Sequence, residues 1–308
     1  MQVVTIPGKL SRYEFISRGA VGWVTRINDR IVLKYAREAN SEAFAQENTF
    51  YDLFEQQETP CPYILQSFLR MPDYNFLANM SGGSLDDRLR SCQVRAGPFG
   101  RVLEVKKTEP EERVALWFRE LTSAVVWLES LGFVHGDLRP NNMLLDSRGH
   151  LKLGDFDCVE KFGDESYGSC APWSRYLGDD AGSVGEPGAR RGTFGRYGAR
   201  TEQFAIGSNI YCMLYGLEPY GEEEDGPLVV QWMQDMQFPA LQSRPLDAVI
   251  DKCWRNQYTQ LRDLLGEAEA LSPPEQEATL SKEYIQSCRR ECQELVDGGL
   301  LINDEEKP

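Results

Sequence analysis

The sequence predicts an α+β, bilobal fold: a small β-rich first part with one long helix, then a larger and mainly helical part. Three observations predict it. Strand-like stretches punctuated by glycine and turn residues fill positions 13–80, interrupted by one helical stretch at 41–56. From position 108 onward apolar residues recur at helical spacing, most strongly at 108–131 and 201–216. Between those two helices lies a turn dense in chemistry-bearing residues, His135-Gly136-Asp137-Leu138-Arg139-Pro140-Asn141-Asn142, closed by Gly154-Asp155-Phe156-Asp157.

Composition bounds the function. The chain has 308 residues, 41% hydrophobic and 11% aromatic, enough for a sizeable core. Its net charge of −15 opposes non-specific nucleic-acid and anionic-membrane binding, which need basic surface. Cysteines stand at 61, 92, 158, 170, 212, 253, 288 and 292 with no Cys-x-x-Cys pair, and there are only two histidines. That argues against a zinc site and fits a reducing compartment. No basic-then-apolar leader and no membrane-length apolar run is present, so the expectation is an intracellular protein, cytoplasmic or nuclear.

Taken in order, the residues up to about Leu10 suggest a first strand. In residues 13–24, Tyr-Glu-Phe-Ile-Ser-Arg-Gly-Ala-Val-Gly-Trp-Val, Gly19 and Gly22 let a turn approach phosphates closely, although a plain hairpin turn explains the spacing as well. Residues 30–35 read as a strand with Val32 and Lys34 on one face and Ile31, Leu33 and Tyr35 on the other. In the helix at 41–56, Phe44, Glu47, Tyr51 and Phe54 share a face. Glu47 is an acid in an aromatic stripe, where an unpaired carboxylate is costly, and Lys34 is its obvious partner; Glu38 and Glu42 compete for that lysine but share the apolar face less well. Strands follow at 64–69 and 75–80, then the Ser-Gly-Gly-Ser break at 81–84 and a short helix from Leu85. Residues 95–107 read as an irregular connection.

The helix at 108–131 should open with a Thr108/Glu111 capping box and Pro110 in its first turn, and close at Gly132. Val114, Trp117, Phe118, Leu121, Val125 and Leu128 trace its apolar face. A hairpin of residues 142–145 and 151–153 around the turn 146–149 would bring Asn142 and Asp155 to one end. Two oxygen ligands there suit Mg²⁺. Asp137 would accept a proton from an attacking hydroxyl, and Arg139 would offer positive charge. Residues 163–200, rich in Gly, Ser, Arg and acidic side chains, form a long segment with little periodicity. The helix at 201–216 is apolar nearly all round and should be buried. A late Ile-Asp-Lys-Cys-Trp helix at 250–254, a helix at 281–296 after Pro273-Pro274, and an acidic tail complete the chain.

These motifs, in this order over roughly residues 11–265, resemble the protein-kinase superfamily, and their divergent spelling is similar to protein-kinase-like proteins abundant in filamentous fungi. The resemblance implies an N-lobe at 1–80, a C-lobe at 81–270 with an activation segment at 155–200, and a C-terminal helix and tail at 271–308. It implies ATP and Mg²⁺ as cofactors and γ-phosphate transfer to serine or threonine hydroxyls of a protein substrate, with no nucleic acid or membrane partner. Lys34, held by Glu47, would orient the ATP phosphates under Gly19 and Gly22. Val24, Val32, Leu77, Met80 and Leu144 would line the adenine slot, with Leu77 as gatekeeper and residues 78–80 as hinge. Asn142 and Asp155 would bind the metal, Asp137 and Arg139 would serve the transfer, and Glu202 would brace the catalytic loop. Ser17 stands where the family's first loop glycine would be, and Arg139 replaces the usual lysine. Asp157 replaces the glycine of Asp-Phe-Gly, and the Ala-Pro-Glu motif is not found: Ala171-Pro172 is followed by Trp173. Gly136 replaces the arginine before the catalytic aspartate, so activation by phosphate on the 163–200 segment is not expected. Two other readings remain: a scaffold that keeps the fold without turnover, and a small-molecule kinase of aminoglycoside or choline type, which spells these motifs similarly.

Overall fold

In a computed structural model, the protein is described at residues 8–98, 100–177, 192–274 and 278–302. It divides into two compact units. One comprises the described residues of Met1–Ser81, Gly154–Asp157 and Glu277–Pro308; the other comprises those of Gly82–Leu153 and Cys158–Gln276.

The first unit is an antiparallel sheet with two helices. Strands β1 (Glu14–Arg18), β2 (Gly22–Arg26), β3 (Ile31–Ala36), β4 (Ser67–Met71) and β5 (Tyr74–Ala78) lie in the order β1-β2-β3-β5-β4. Strand β3 is buried along its whole length, as its run of branched and aromatic residues requires of a central strand. Helix α1 (Glu42–Glu55) starts at Ser41, whose hydroxyl accepts from the Phe44 N–H, and its Phe44, Glu47, Tyr51 and Phe54 are buried on the expected face. The opening residues differ from expectation: Gly8–Arg12 form a 3₁₀ turn, not a strand, and residues 1–7 lie outside the described residues.

Helix α8 (Lys282–Asp297), expected as part of a C-terminal segment of its own, packs in this unit against β4. Cys288 and Cys292, one helical turn apart, are fully buried, and Tyr284 meets Phe68 edge-on. Glu291 pairs with Arg30 and accepts from Asn28. Arg289 reaches Glu55, at the end of α1, at 2.5 Å. The acidic tail beyond position 302 lies outside the described residues.

The second unit is mainly helical. Helices α2 (Leu85–Ser91), α3 (Glu111–Ser130), α4 (Ala199–Tyr215), α5 (Gly226–Gln234), α6 (Pro245–Trp254) and α7 (Leu261–Leu271) are joined by short strand pairs. The core runs along α3 and α4, which pack on each other and on α7 and α6. All six residues of the expected α3 face are essentially inaccessible, and Gly132 ends the helix with φ +85°. The capping box at Thr108 is absent. The helix begins at Glu111 with Pro110 as its N-cap and no side-chain cap bond, so Thr108 lies outside the first turn. The stretch expected to be irregular holds a hairpin, β6 (Gln93–Arg95) with β7 (Val102–Val105); strands this short carry no readable period.

The hairpin after the 135–142 turn has the expected form. Strands β9 (Met143–Leu145) and β10 (Leu151–Leu153) pair antiparallel with Met143 opposite Leu153, and β8 (Phe133–Val134) pairs with β11 (Glu160–Lys161). Helix α3 anchors this hairpin. Trp117 Nε1 donates to Gly149 O at 2.8 Å, and Glu120 accepts the Leu151 N–H while meeting His150 at 2.5 Å. Among the described residues, no helix is long and apolar enough to cross a membrane.

Candidate active site

The predicted site residues fall into two sets, one in each unit. In the first unit, cross-strand register sorts the sheet residues by face. Val24 lies opposite Lys34, and Leu77 opposite Val32; because Val32 and Lys34 are two apart, all four share a face. Met80 follows β5 and is half-buried. The segment after β5 is tied back to the β2–β3 turn by Asn79, whose backbone and side-chain N–H groups donate to Arg30 O and Asp29 O.

The Lys34 ammonium sits between two carboxylates, 2.6 Å from Glu47 Oε2 and 2.6 Å from Asp155 Oδ1. Burial by itself would lower the Lys34 pKa; the charges of Glu47 and Asp155 overcome it and raise it. Glu47 is pushed up to about 7, first by burial, with Asp155 repelling its charge and Lys34 opposing the shift. Asp155 adopts a left-handed conformation, φ +64°, which a short polar residue tolerates. Its neighbour Phe156 is fully buried, edge-on to Tyr51 and Phe54 at 5.3 and 5.0 Å between ring centres, so α1 holds both Glu47 and the base of the Asp155 turn. Gly22 sits in a tight place: an added Cβ would meet Tyr35 O at 3.0 Å and the Lys34 stem at 3.2 Å, so those neighbours would have to give way.

In the second unit Asp137 is 6% exposed, and its carboxylate has three side-chain partners. Asn142 Nδ2 donates to its Oδ2 at 3.0 Å, Arg139 Nη2 lies 2.8 Å from the same oxygen, and Ser169 Oγ donates to Oδ1 at 3.0 Å. Asn142 also donates to the Asp137 backbone carbonyl at 2.9 Å. With its amide nitrogen committed to Asp137, the Asn142 oxygen is its acceptor for a cation. Leu144 is half-buried in β9, bridged to Ser84.

Helix α4 grips the loop that carries Asp137. Glu202, 2% exposed, accepts the His135 N–H at 3.0 Å and the Gly136 N–H, and Asn209 Nδ2 donates to Leu138 O at 3.0 Å. Burial pushes Glu202 up to about 7 against the pull of those two N–H groups. Gly136 has φ +77°, and a Cβ there would stand 2.5 Å from Cys158 O, so the position can carry no side chain without local movement.

Sequence reasoning missed Ser169 and Asn209. Ser169 comes from a segment without period, and nothing in its local sequence points at Asp137. Asn209 carried a signal, since a polar residue in a helix that is apolar all round needs a partner. A hollow lined in part by Gly136, Leu138, Ser169, Trp173, Phe194 and Phe204 opens beside these residues. Residues 178–191 of the expected activation segment lie outside the described residues, and none of the described residues forms a His/Cys/Asp/Glu cluster of metal-binding size.

Comparison with known proteins bears on the family of the chain. The sequence model of the protein kinase domain matches residues 78–305, well over half of the chain. Among curated proteins, Rho-associated protein kinase 1 of Homo sapiens is 27% identical over 216 residues, 67% of this chain and 14% of that protein. Serine/threonine-protein kinase sax-1 of Caenorhabditis elegans is 26% identical over 263 residues, 73% of this chain and 53% of that protein. Serine/threonine-protein kinase mrck-1 of the same organism is 33% identical over 117 residues, 37% of this chain and 7% of that protein. The chain thus spans from less than a tenth to about half of the length of these relatives. A β-sheet N-terminal unit, a helical unit and a family match covering most of the chain lead to one statement: the chain belongs to the protein kinase domain family.

Proposed function

We propose that the protein is an ATP- and Mg²⁺-dependent kinase that transfers the γ-phosphate to serine or threonine hydroxyls of protein substrates. The observation that carries this reading is the Lys34 ammonium held at 2.6 Å by both Glu47 and Asp155. A buried lysine fixed in this way offers one oriented positive charge to phosphate oxygens, while drift in a non-catalytic scaffold would be expected to erode such a set. An amide oxygen from Asn142 and a carboxylate from Asp155 are hard donors of the kind a magnesium ion takes. That ion, when bound, would offset the negative charge of the phosphates.

In the transfer itself the acceptor oxygen attacks the γ-phosphorus, ADP leaves, and the hydroxyl proton passes to Asp137. The fixed carboxylate orients the nucleophile, and Arg139 offsets charge on the moving phosphoryl group. Ser169 donating to Asp137 is itself a hydroxyl within hydrogen-bond reach of that base. Serine/threonine specificity for protein acceptors draws support from the names of the relatives.

Thermal unfolding with ATP, with and without Mg²⁺, on the parent chain and Asp155→Asn tests the reading. Ligand at about 100 times its dissociation constant adds roughly 2.7 kcal/mol, a shift of several degrees at most. The expected result is a magnesium-dependent shift in the parent that the variant loses. No shift in either protein would overturn the nucleotide reading and favour a scaffold. Phosphate transfer to small alcohols with none to protein would replace the substrate class.

A further inference from the structure

The turn between β1 and β2 is held from outside itself. Arg37 Nη1 donates to Gly19 O at 3.4 Å and to Ala20 O at 3.1 Å, and the Arg37 backbone N–H donates to Val21 O at 3.0 Å. One residue just beyond the end of β3 therefore takes up three consecutive carbonyls of the turn. In a planar trans peptide the N–H points opposite to the C=O. With the Gly19 and Ala20 carbonyls drawn toward Arg37, the N–H groups of Ala20 and Val21 face the other way. Successive N–H groups presented together on a tight turn make an anion-binding concavity. The turn closes through Gly19 N–H donating to Gly22 O at 2.8 Å, and Gly22 packs directly on the Lys34 stem.

Two glycines leave such a turn with many backbone states, and the carbonyls and amides exchange sides between them. A guanidinium tied to two adjacent carbonyls selects one state. We propose that Arg37 is a positioning residue for the nucleotide phosphates: it fixes the turn so that the Ala20 and Val21 N–H groups face the phosphate chain. This rests on the nucleotide site proposed above and adds to it a residue that contacts the turn rather than the ligand. Arg37 is half-buried, beside the turn it holds.

Calorimetric titration of the parent and Arg37→Met with MgATP and with adenosine, at low and at high salt, tests the proposal. The variant is expected to bind MgATP about tenfold more weakly, the scale of losing charged hydrogen bonds, and to bind adenosine as the parent does. The difference is expected to persist at high salt, where a long-range charge effect is screened. Unchanged MgATP affinity, equal weakening of adenosine, or a difference that vanishes at high salt would each overturn the role of Arg37 while leaving the nucleotide site standing. A folded parent that binds no MgATP would overturn the nucleotide site, and this role with it.

Discussion

Replacing Glu202 by glutamine separates the two things its carboxylate does. The carboxylate accepts the His135 and Gly136 N–H groups, and it is a buried acid whose pKa is raised from 4.5 to about 7. An acid that binds its proton more tightly when folded makes the protein most stable below its unfolded pKa. That stability is lost as pH rises through the window from 4.5 to about 7, and the curve is flat above it. Linkage over this window gives a loss of about 2 kcal/mol between roughly pH 5.5 and 8.5 in the parent. Glutamine does not titrate, but its single amide oxygen leaves one buried N–H poorly satisfied, at about 1–3 kcal/mol. The stability gap between the parent and Glu202→Gln should therefore shrink by about 2 kcal/mol from pH 5.5 to pH 8.5. Glu47, also raised to about 7, is present in both proteins and cancels. Urea unfolding followed by tryptophan fluorescence at the two pH values reads the gap. A gap that stays constant or widens with pH would refute the reasoning.

Other outcomes follow from single contacts. Gly136→Ala forces a Cβ into a left-handed residue and against Cys158 O; the conformational part alone costs about 1–2 kcal/mol, and wild-type stability in a denaturation experiment would contradict the fit. Because position 136 carries no side chain, phosphatase treatment should leave transfer activity intact, and a loss of activity would show that another residue reads phosphate on the segment. Arg289→Ala should cost under about 1 kcal/mol, since both it and Glu55 are 38% exposed, whereas deleting residues 281–302 should cost more than about 3 kcal/mol by uncovering the surface around Phe68; equal costs would contradict the packing of α8.

Much of this was legible before any coordinates. Glu47 was identifiable because an acid on the Phe44–Tyr51–Phe54 face must find a cation, and Lys34 was the cation on the matching strand face. Helix α3 and the burial of α4 were readable from long apolar periods, which average over local accidents. Short elements failed for the opposite reason: β6 and β7 are too brief for a period, and Thr108 missed its capping role because the helix begins three residues later. The docking of α8 on β4, Ser169 on Asp137 and Arg37 on the glycine turn join residues through tertiary geometry, and no sequence spacing encodes such meetings. Asn209 lay between these cases, detectable as a polar residue in a buried helix but with no indication of its partner.

The most direct test of the account is the rate of γ-phosphate transfer from labelled ATP to a protein acceptor by the parent and by Asp137→Asn, with MgATP affinity measured on both. Asparagine keeps the size of the side chain and its contact with Ser169 but cannot take the hydroxyl proton. The account predicts transfer reduced by roughly 100- to 10,000-fold with MgATP affinity nearly unchanged. Equal transfer rates in the two proteins would contradict it, because the base would then lie elsewhere.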